Sequence, residues 1–354
     1  MTSKKKLLIL ISGGLGDFIF NIPALNILAS HQPKVEIHCL YYTSFKLEYL
    51  TKVKTRSISS SPWINLISNK VKNVEDLNSL SLWQIFKVRK KIVREGFDEA
   101  LILTSPHVTK KSLLKKRIFL YLMGLKISAR IISKNEVKLL DEVKMHKAIG
   151  PISIVKKYLN QDYIYGSNAY SIDLQNFISQ NENKMKVYKK INIKEKNIIF
   201  FPGSNFDFKN WGLKNFIDLS DQILKKYFDV KKIFIAGPAG DDYLIKSFKN
   251  PNVISLCGID FNKLCEFIHC SSCVIGNDGG GVQLSGYLGS PTIVLSNGSE
   301  PGLVTPIGAK IIELRKSTAC SPCFSYTSCP LNNPVCVRDI STKQVLSSLD
   351  KIIQ

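Results

Sequence analysis

An acidic residue stands at the head of a glycine-rich turn near the start of the chain. The turn, Gly13-Gly14-Leu15-Gly16-Asp17, follows the apolar run LLILIS, so we expect it where a buried strand passes into a helix. Ligands of open α/β sheets bind at such strand ends. Asp17 can accept a proton there, or it can simply complement the helix dipole. The turn lacks the third glycine of a dinucleotide fingerprint, so a nicotinamide cofactor is weakly supported.

Two more turns could hold an anion. Phe201-Pro202-Gly203-Ser204 ends a predicted strand, and Lys209 follows. Backbone N–H groups with a nearby lysine suit a diphosphate, although an ordinary turn with a solvated lysine explains the pattern equally well. The third turn places Asp278 before Gly279-Gly280-Gly281. We expect these glycines to admit a ligand to the main chain rather than to serve the core.

Four cysteines form the pattern C-x2-C-x5-C-x6-C: Cys320, Cys323, Cys329 and Cys336. The apolar run at the N-terminus leads into a glycine turn and not into a signal-peptidase site. We therefore expect a cytoplasmic protein whose cysteines are thiols or metal ligands. The spacing permits a structural zinc or iron centre. The spacing supports equally well the alternative that the four thiols pack as small hydrophobic groups.

The charge is strongly uneven along the chain. The net charge is +21, and residues 1–190 hold 32 Lys+Arg and 14 Asp+Glu, against 17 and 14 in residues 191–354. This predicts an anionic partner for the first half. Only seven of the basic residues are Arg, so no nucleic acid is expected. Residues 83–94 and 110–130 mix basic with apolar residues, which is typical of a helix on an anionic membrane or of a core helix with a solvated face.

Strands and helices alternate throughout the chain. Strands are predicted over 6–12, 35–41, 99–104, 197–201, 232–236, 273–276 and 292–295, and helices over 17–29, 83–94, 112–125 and 211–228. The order predicts two doubly wound α/β domains that meet at a cleft. We place the first domain at residues 1–180, a polar linker at 181–196 and the second domain at 197–354. No apolar run reaches the roughly 18 residues of a spanning helix.

Four motifs then appear in order: G-D-x5-P at Gly16, P-G-S…K-x-W from Pro202, N-D-x-G…L-x3-L-G-x-P from Asn277, and C-x-P-C…C-P from Cys320. Together they resemble the family 9 glycosyltransferases, the ADP-heptose:lipopolysaccharide heptosyltransferases, over nearly the whole chain. The resemblance implies a GT-B fold, with two Rossmann-like domains facing a central cleft. It places the nucleotide sugar mainly on the second domain and the acceptor on the first.

The resemblance also implies roles for individual residues. Asp17 corresponds to the proposed general base, with Gly14 and Gly16 in the acceptor loop, and Lys209 corresponds to the lysine on the donor diphosphate. The remaining positions that match the donor-binding loops are Ser204, Asp278, Gly279, Gly280 and Gln283. Gly279 and Gln283 replace the family's common Thr and His, and glutamine keeps hydrogen bonding but cannot become charged. The chemistry is expected to need no cofactor.

The resemblance therefore implies an inverting transfer of heptose, from ADP-heptose or a related nucleotide sugar, to a lipopolysaccharide core or another surface glycan. An anionic glycan or glycolipid acceptor agrees with the basic first half, as does an anionic inner-leaflet membrane surface. One alternative is a protein O-heptosyltransferase of the same family. A non-catalytic protein that binds anions or nucleic acid on a degenerate GT-B scaffold is the other.

Overall fold

The computed structural model of the protein describes residues 5–32, 34–42, 73–77, 81–105, 107–136, 146–160, 196–204, 206–299, 301–308, 310–323 and 328–353. The chain splits into two compact units, Met1–Gln175 and Asn176–Gln354. The predicted linker, residues 181–196, lies outside the described residues except for Lys196, which begins a strand. Among the described residues, no helix combines the length and the apolar character needed to cross a lipid bilayer.

The first unit contains a parallel sheet of five strands in the order β3-β2-β1-β4-β5. These are β1 (Lys6–Ser12), β2 (Glu36–Tyr42), β3 (Asn73–Asp76), β4 (Glu99–Leu103) and β5 (Arg130–Ile132). The central strand β1 is buried on both faces, as its continuous apolar run predicts.

The helices of the first unit are α1 (Leu15–His31), α2 (Leu82–Glu95), α3 (Lys110–Leu122) and α4 (Ile149–Tyr158). Leu8 and Leu10 of β1 pack in one core cluster with Val88 of α2 and Leu120 of α3. Helices α1 and α4 pack against each other. Side chains alternate between the two faces of a strand, so this central strand can bury apolar residues on both sides.

The second unit contains a parallel sheet of six strands in the order β11-β10-β9-β6-β7-β8. These are β6 (Lys196–Phe201), β7 (Val230–Ile235), β8 (Val253–Ser255), β9 (Cys273–Asn277), β10 (Thr292–Leu295) and β11 (Ile311–Leu314). Its helices are α5 (Leu213–Lys226), α6 (Phe261–Cys270), α7 (Gly280–Tyr287), α8 (Val335–Arg338) and α9 (Thr342–Ile353).

Trp211 anchors the core of the second unit. Its ring packs edge-to-face on Phe216 at 5.0 Å, and its Nε1–H donates to the Ile340 carbonyl at 2.7 Å. This bond ties the segment after β6 to the C-terminal part of the unit. A buried indole N–H needs such a partner.

Both sheets reverse their strand order beside their first strand. The reversal lies between β1 and β4 in the first unit and between β6 and β9 in the second. Loops at the carboxyl ends of these strands form the ligand-binding positions of doubly wound folds. Asp17 follows β1, Lys209 follows β6, and Asp278 follows β9, so each of these three residues lies at such a switch point.

Candidate active site

The turn between β1 and α1 holds the carboxylate of Asp17 in a fixed place. The Gly14 backbone N–H donates to Asp17 Oδ2 at 3.1 Å. The Tyr41 hydroxyl donates to the Gly13 carbonyl. Asp17 remains 44% exposed, so the side chain is both positioned and accessible to a reactant. Gly14 is the N-terminal cap of the helix, and Gly16 is its second residue.

Position 13 requires a glycine because of its backbone conformation and because Asp17 lies close to it. Its φ is +128°, and a Cβ at this position would lie 2.5 Å from both Cβ and Oδ2 of Asp17. A side chain would therefore displace the carboxylate. Sequence reasoning assigned roles to Gly14 and Gly16 and gave none to Gly13.

Two lysines bring positive charge to this carboxylate. Lys147 Nζ lies 3.6 Å from Asp17 Oδ1. Lys116 of α3 donates to Ser12 Oγ at the end of β1. Burial lowers the pKa of Lys116 to about 8, and the charge of Asp17 offsets part of that effect. The carboxylate therefore lies in a basic setting, which suits a reactant that carries negative charge.

In the second unit, Lys209 and Asp278 form an ion pair. Lys209 Nζ lies 2.7 Å from Asp278 Oδ2, and the two side chains are 23% and 6% exposed. A lysine ammonium has three donors, so one can bind this carboxylate while the others face a second anion. The structure thus joins two residues that the sequence placed in separate motifs.

Asn277 joins the loops that follow β6 and β9. Its Oδ1 accepts from the Trp211 backbone N–H at 2.9 Å. Its amide nitrogen donates to the Pro202 carbonyl at 2.6 Å and to Asn210 Oδ1 at 3.3 Å. The side chain is almost completely buried. Asn277 therefore sets the path of the segment that carries Lys209.

The glycine cluster after β9 has mixed roles. A Cβ on Gly281 would overlap the ring of Phe201, so Gly281 serves packing, and the expectation that all three glycines admit a ligand is wrong at this position. Gly279 precedes α7, and a Cβ added to it would have the Asn277 carbonyl oxygen as its nearest neighbour, at 3.7 Å. Gly280 begins α7. Gly279 is thus open to the approach of another group.

The remaining predicted donor contacts have local partners. Gln283 is buried, and its Nε2 donates to the Val304 carbonyl at 2.6 Å. Its Oε1 has no hydrogen-bond partner in the described part of the chain. Ser204 Oγ accepts from the Phe206 N–H at 3.3 Å.

Asp241 is a buried carboxylate that sequence reasoning missed. Its Oδ2 would lie 2.5 Å from a Cβ on Gly203 and 3.0 Å from one on Gly237. The residue lies in the 3₁₀ helix Ala239–Ser247 and is only 2% exposed. Gly203 therefore lets this carboxylate approach the turn after β6. The sequence pattern that could have indicated it is a glycine shortly after each of two neighbouring strands, Gly203 after β6 and Gly237 after β7.

A family model described as glycosyltransferase family 9 (heptosyltransferase) matches residues 85–333. The chain belongs to glycosyltransferase family 9. The resemblance seen in the sequence motifs is therefore confirmed, and the protein is a glycosyltransferase. Comparison with curated protein sequences gives no significant match.

Solved structures of other glycosyltransferases share the fold. ADP-heptose lipopolysaccharide heptosyltransferase II of Escherichia coli is 16% identical, with a TM-score of 0.65 and 98% of each chain covered. A family 9 glycosyltransferase of Veillonella parvula is 17% identical, with a TM-score of 0.64, over 100% of this chain and 98% of that one. The iron-containing dodecameric glycosyltransferase TibC of enterotoxigenic E. coli is 12% identical, with a TM-score of 0.57, over 99% and 76%. The GT-B prediction is confirmed.

In this family 9 protein two of the four clustered cysteines, Cys323 and Cys336, lie beside Gly298. The Cys323 N–H donates to the Gly298 carbonyl at 2.5 Å. A Cβ on Gly298 would lie 3.6 Å from Cys336 Sγ. Burial raises the pKa of the Cys336 thiol, the Gly298 N–H offsets part of this, and the thiols of Cys329 and Cys320 raise it further. The thiols thus share one neighbourhood.

Thiolates are suitable ligands for zinc or iron. However, no three His, Cys, Asp or Glu side chains of the described residues are arranged to hold a metal ion. Residues 324–327, between Cys323 and Cys329, lie outside those residues. The metal centre at Cys320, Cys323, Cys329 and Cys336 stays a prediction.

Proposed function

We propose that this family 9 glycosyltransferase transfers heptose from ADP-heptose to a lipopolysaccharide core or a related surface glycan, with inversion at the anomeric carbon. The observation that carries the proposal is the placement of Asp17, whose carboxylate is held by Gly14, partly exposed and flanked by Lys147. The ADP-heptose donor is proposed from the similarity to the E. coli heptosyltransferase.

In the proposed reaction, the acceptor hydroxyl oxygen attacks the anomeric carbon of the donor. A new C–O bond forms on one face while the bond to the diphosphate oxygen breaks on the other. Asp17 takes the hydroxyl proton, and ADP leaves with the electron pair of the broken bond. The Lys209 ammonium stabilises the negative charge that develops on the diphosphate.

The other donor contacts are proposed on the second unit. Asp278 orients Lys209, and Gly279 and Gly280 give the donor access to the main chain at the start of α7. Ser204 lies in the neighbouring loop. The buried Oε1 of Gln283 has no hydrogen-bond partner among the described residues, and we propose that it accepts a hydrogen bond from the donor once the donor is bound.

The first unit is proposed as the acceptor domain and the second as the donor domain. The excess of basic residues before residue 190 and the lysines beside Asp17 favour an anionic glycan or glycolipid. We place the enzyme in the cytoplasm, at the inner face of the cytoplasmic membrane. The non-catalytic alternative predicts that no nucleotide sugar stabilises the native state.

A thermal-shift panel of nucleotide sugars tests the donor. We expect ADP-heptose to raise the melting temperature more than UDP- or GDP-sugars do, because a ligand at about 100 times its Kd stabilises the native state by about 2.7 kcal/mol. ADP release that depends on a lipopolysaccharide core acceptor would then establish transfer. A larger shift with a UDP- or GDP-sugar than with ADP-heptose would reject the proposed donor.

Transfer to a protein hydroxyl is the second candidate. It is favoured by the cysteine cluster, because the family that the motifs resemble includes members with cysteine clusters that transfer sugar to proteins, and the fold is similar to that of an iron-containing glycosyltransferase. The two candidates differ in their product. Transfer to a polypeptide serine or threonine, with none to the glycan, would select the protein acceptor.

The cysteine cluster carries a separate prediction. Protein purified without a metal-binding tag should contain close to one equivalent of zinc or iron, held by Cys320, Cys323, Cys329 and Cys336. Metal analysis of Cys323→Ser should show that it is lost, with reduced thermal stability. Cys257→Ser, at a partly buried cysteine outside the cluster, is the control and should keep the metal. If the wild-type protein is folded without metal, the metal centre is rejected and the four cysteines serve as packing residues.

A further inference from the structure

Two helices of the first unit expose large apolar side chains to solvent. On α2 these are Leu82, Trp83, Phe86 and Val93, and on α3 they are Leu114, Ile118 and Leu122. Each is between 49% and 69% exposed. Single exposed apolar residues are ordinary, whereas a contiguous group marks an interaction surface.

These residues form faces that are distinct from the core faces of the same helices. Val88 and Ile92 are the buried residues of α2. On α3, Leu113 and Leu120 enter the core, whereas Leu114, Ile118 and Leu122 follow one another at four-residue intervals. That interval keeps side chains on one side of a helix. Each helix therefore has a second apolar face that is exposed in the described part of the unit.

The two exposed faces meet where the second half of α2 reaches the end of α3. Arg89 Nε of α2 donates to the Leu122 carbonyl at the end of α3 at 3.0 Å. A Cβ on Gly124 would lie 2.5 Å from Val93 Cγ2, so α2 packs closely on the residue that follows α3. We call the combined surface, which consists of Leu82, Trp83, Phe86, Val93, Leu114, Ile118 and Leu122, the α2–α3 face.

The surroundings of the α2–α3 face are basic. Each helix carries five Lys or Arg residues, and Glu95 is the single acidic residue in the two. Lys87 Nζ lies 3.6 Å from the ring centroid of Trp83, and Lys90 Nζ lies 5.1 Å from that of Phe86. Exposed aromatic rings with ammonium groups beside them match the boundary between acyl chains and headgroups.

We propose that the α2–α3 face binds an anionic lipid bilayer. The apolar side chains enter the headgroup boundary, and the lysines contact anionic headgroups, each contributing about 1 kcal/mol near such a surface. A second copy of the chain is a poorer occupant, because it would place two strongly basic surfaces against each other.

The position of α3 relates this surface to the catalytic turn. Lys116 donates to Ser12 Oγ, on the side of the helix away from Ile118, because residues two apart on a helix point in widely different directions. One helix diameter, about 10 Å, therefore separates the bound lipid from the strand end that precedes Asp17. This inference rests on the proposed function, since a lipid-borne acceptor would meet Asp17 from the membrane surface.

Vesicle flotation with the full chain tests the proposal. Wild-type protein should bind phosphatidylcholine vesicles that contain phosphatidylglycerol and bind vesicles of phosphatidylcholine alone at least about tenfold more weakly. Two variants should each weaken binding to the anionic vesicles by about tenfold or more. These are the apolar variant Leu114→Gln/Ile118→Gln/Leu122→Gln and the charge variant Lys87→Gln/Lys90→Gln/Lys111→Gln.

Matched controls come from the second unit. Phe228→Gln removes an apolar residue that is 84% exposed, and Lys214→Gln/Lys343→Gln removes two exposed charges. Both should bind anionic vesicles as wild type does. Tryptophan fluorescence gives an independent measurement, because Trp83→Phe should abolish a blue shift on addition of anionic vesicles.

Three outcomes would overturn the proposal: wild-type protein that does not bind anionic vesicles, variants that bind as wild type does, or an apolar variant that changes the oligomeric state without changing vesicle binding. The last would make the α2–α3 face a protein interface. The thermal shift with ADP-heptose uses no vesicles. If ADP-heptose gives no thermal shift but the protein binds anionic vesicles, the proposed donor is rejected and the proposed membrane surface is retained. If ADP-heptose gives the shift but the protein does not bind vesicles, only the membrane surface is rejected.

Discussion

Replacement of Asp17 by asparagine should lower turnover by about two to four orders of magnitude and leave donor affinity nearly unchanged. The asparagine Oδ1 can still accept from the Gly14 N–H, which in the native chain binds the Asp17 carboxylate at 3.1 Å. The shape of the turn is therefore kept. The substitution removes the group that takes the acceptor proton, so the loss belongs to kcat and not to donor binding.

The measurement pairs a rate with an affinity. ADP release with saturating donor and a lipopolysaccharide core acceptor gives kcat, and calorimetry with ADP-heptose gives the donor Kd. Asp98→Asn is the matched control, because Asp98 is an exposed acid of the same unit that pairs with Lys126 at 2.8 Å. It should turn over as wild type does. Asp17→Asn with most of its turnover intact would remove Asp17 from the role of general base.

The central strands were predictable from the sequence, and the edge strands were not. The predicted strands over 6–12 and 292–295 have the same bounds in the structure, as β1 and β10. The missed strands β3, β5, β8 and β11 all lie at sheet edges, and each has three or four residues. A central strand is buried on both faces and therefore shows a continuous apolar run. A short edge strand gives little pattern to detect.

Helix α4 was missed for a different reason. Nine of its ten residues are buried, so it lacks the polar face whose spacing predicts a helix. Its glycine and its proline are also untypical of helices, and both Gly150 and Pro151 stand in its first turn. Pro is tolerated there because the first N–H groups of a helix have no intrahelical partner.

The candidate site was predictable only where its residues follow strand ends. Asp17, Lys209 and Asp278 lie shortly after the strands β1, β6 and β9 that form the two switch points. Lys116 and Lys147 reach Asp17 or its turn from α3 and from the segment before α4, about 100 residues or more along the chain. Their approach depends on how the helices pack on the sheet, and no local pattern encodes it. The Lys209–Asp278 pair likewise depends on β6 and β9 being neighbours.

Among the proposed substitutions, removal of the Lys209 charge should have the largest effect on donor binding. Lys209→Ala should weaken ADP-heptose binding and lower kcat/KM by roughly two to three orders of magnitude, because a diphosphate contact acts in the ground state and strengthens as ADP leaves. The same change leaves the buried carboxylate of Asp278 without its partner at 2.7 Å. A buried carboxylate without its partner costs about 1–3 kcal/mol, so the melting temperature should fall by several degrees.

A double variant separates the two effects. In Lys209→Ala/Asp278→Asn the buried charge is gone, so the melting temperature should recover toward the wild-type value, while calorimetry should still show weak binding of ADP-heptose. Lys209→Arg keeps the positive charge and should retain more donor affinity than the alanine variant, although its planar group fits the site of a point charge less well. Wild-type donor affinity in the double variant would contradict the assignment. It would mean that Lys209 serves only to neutralise Asp278, and that the donor diphosphate finds its positive charge elsewhere.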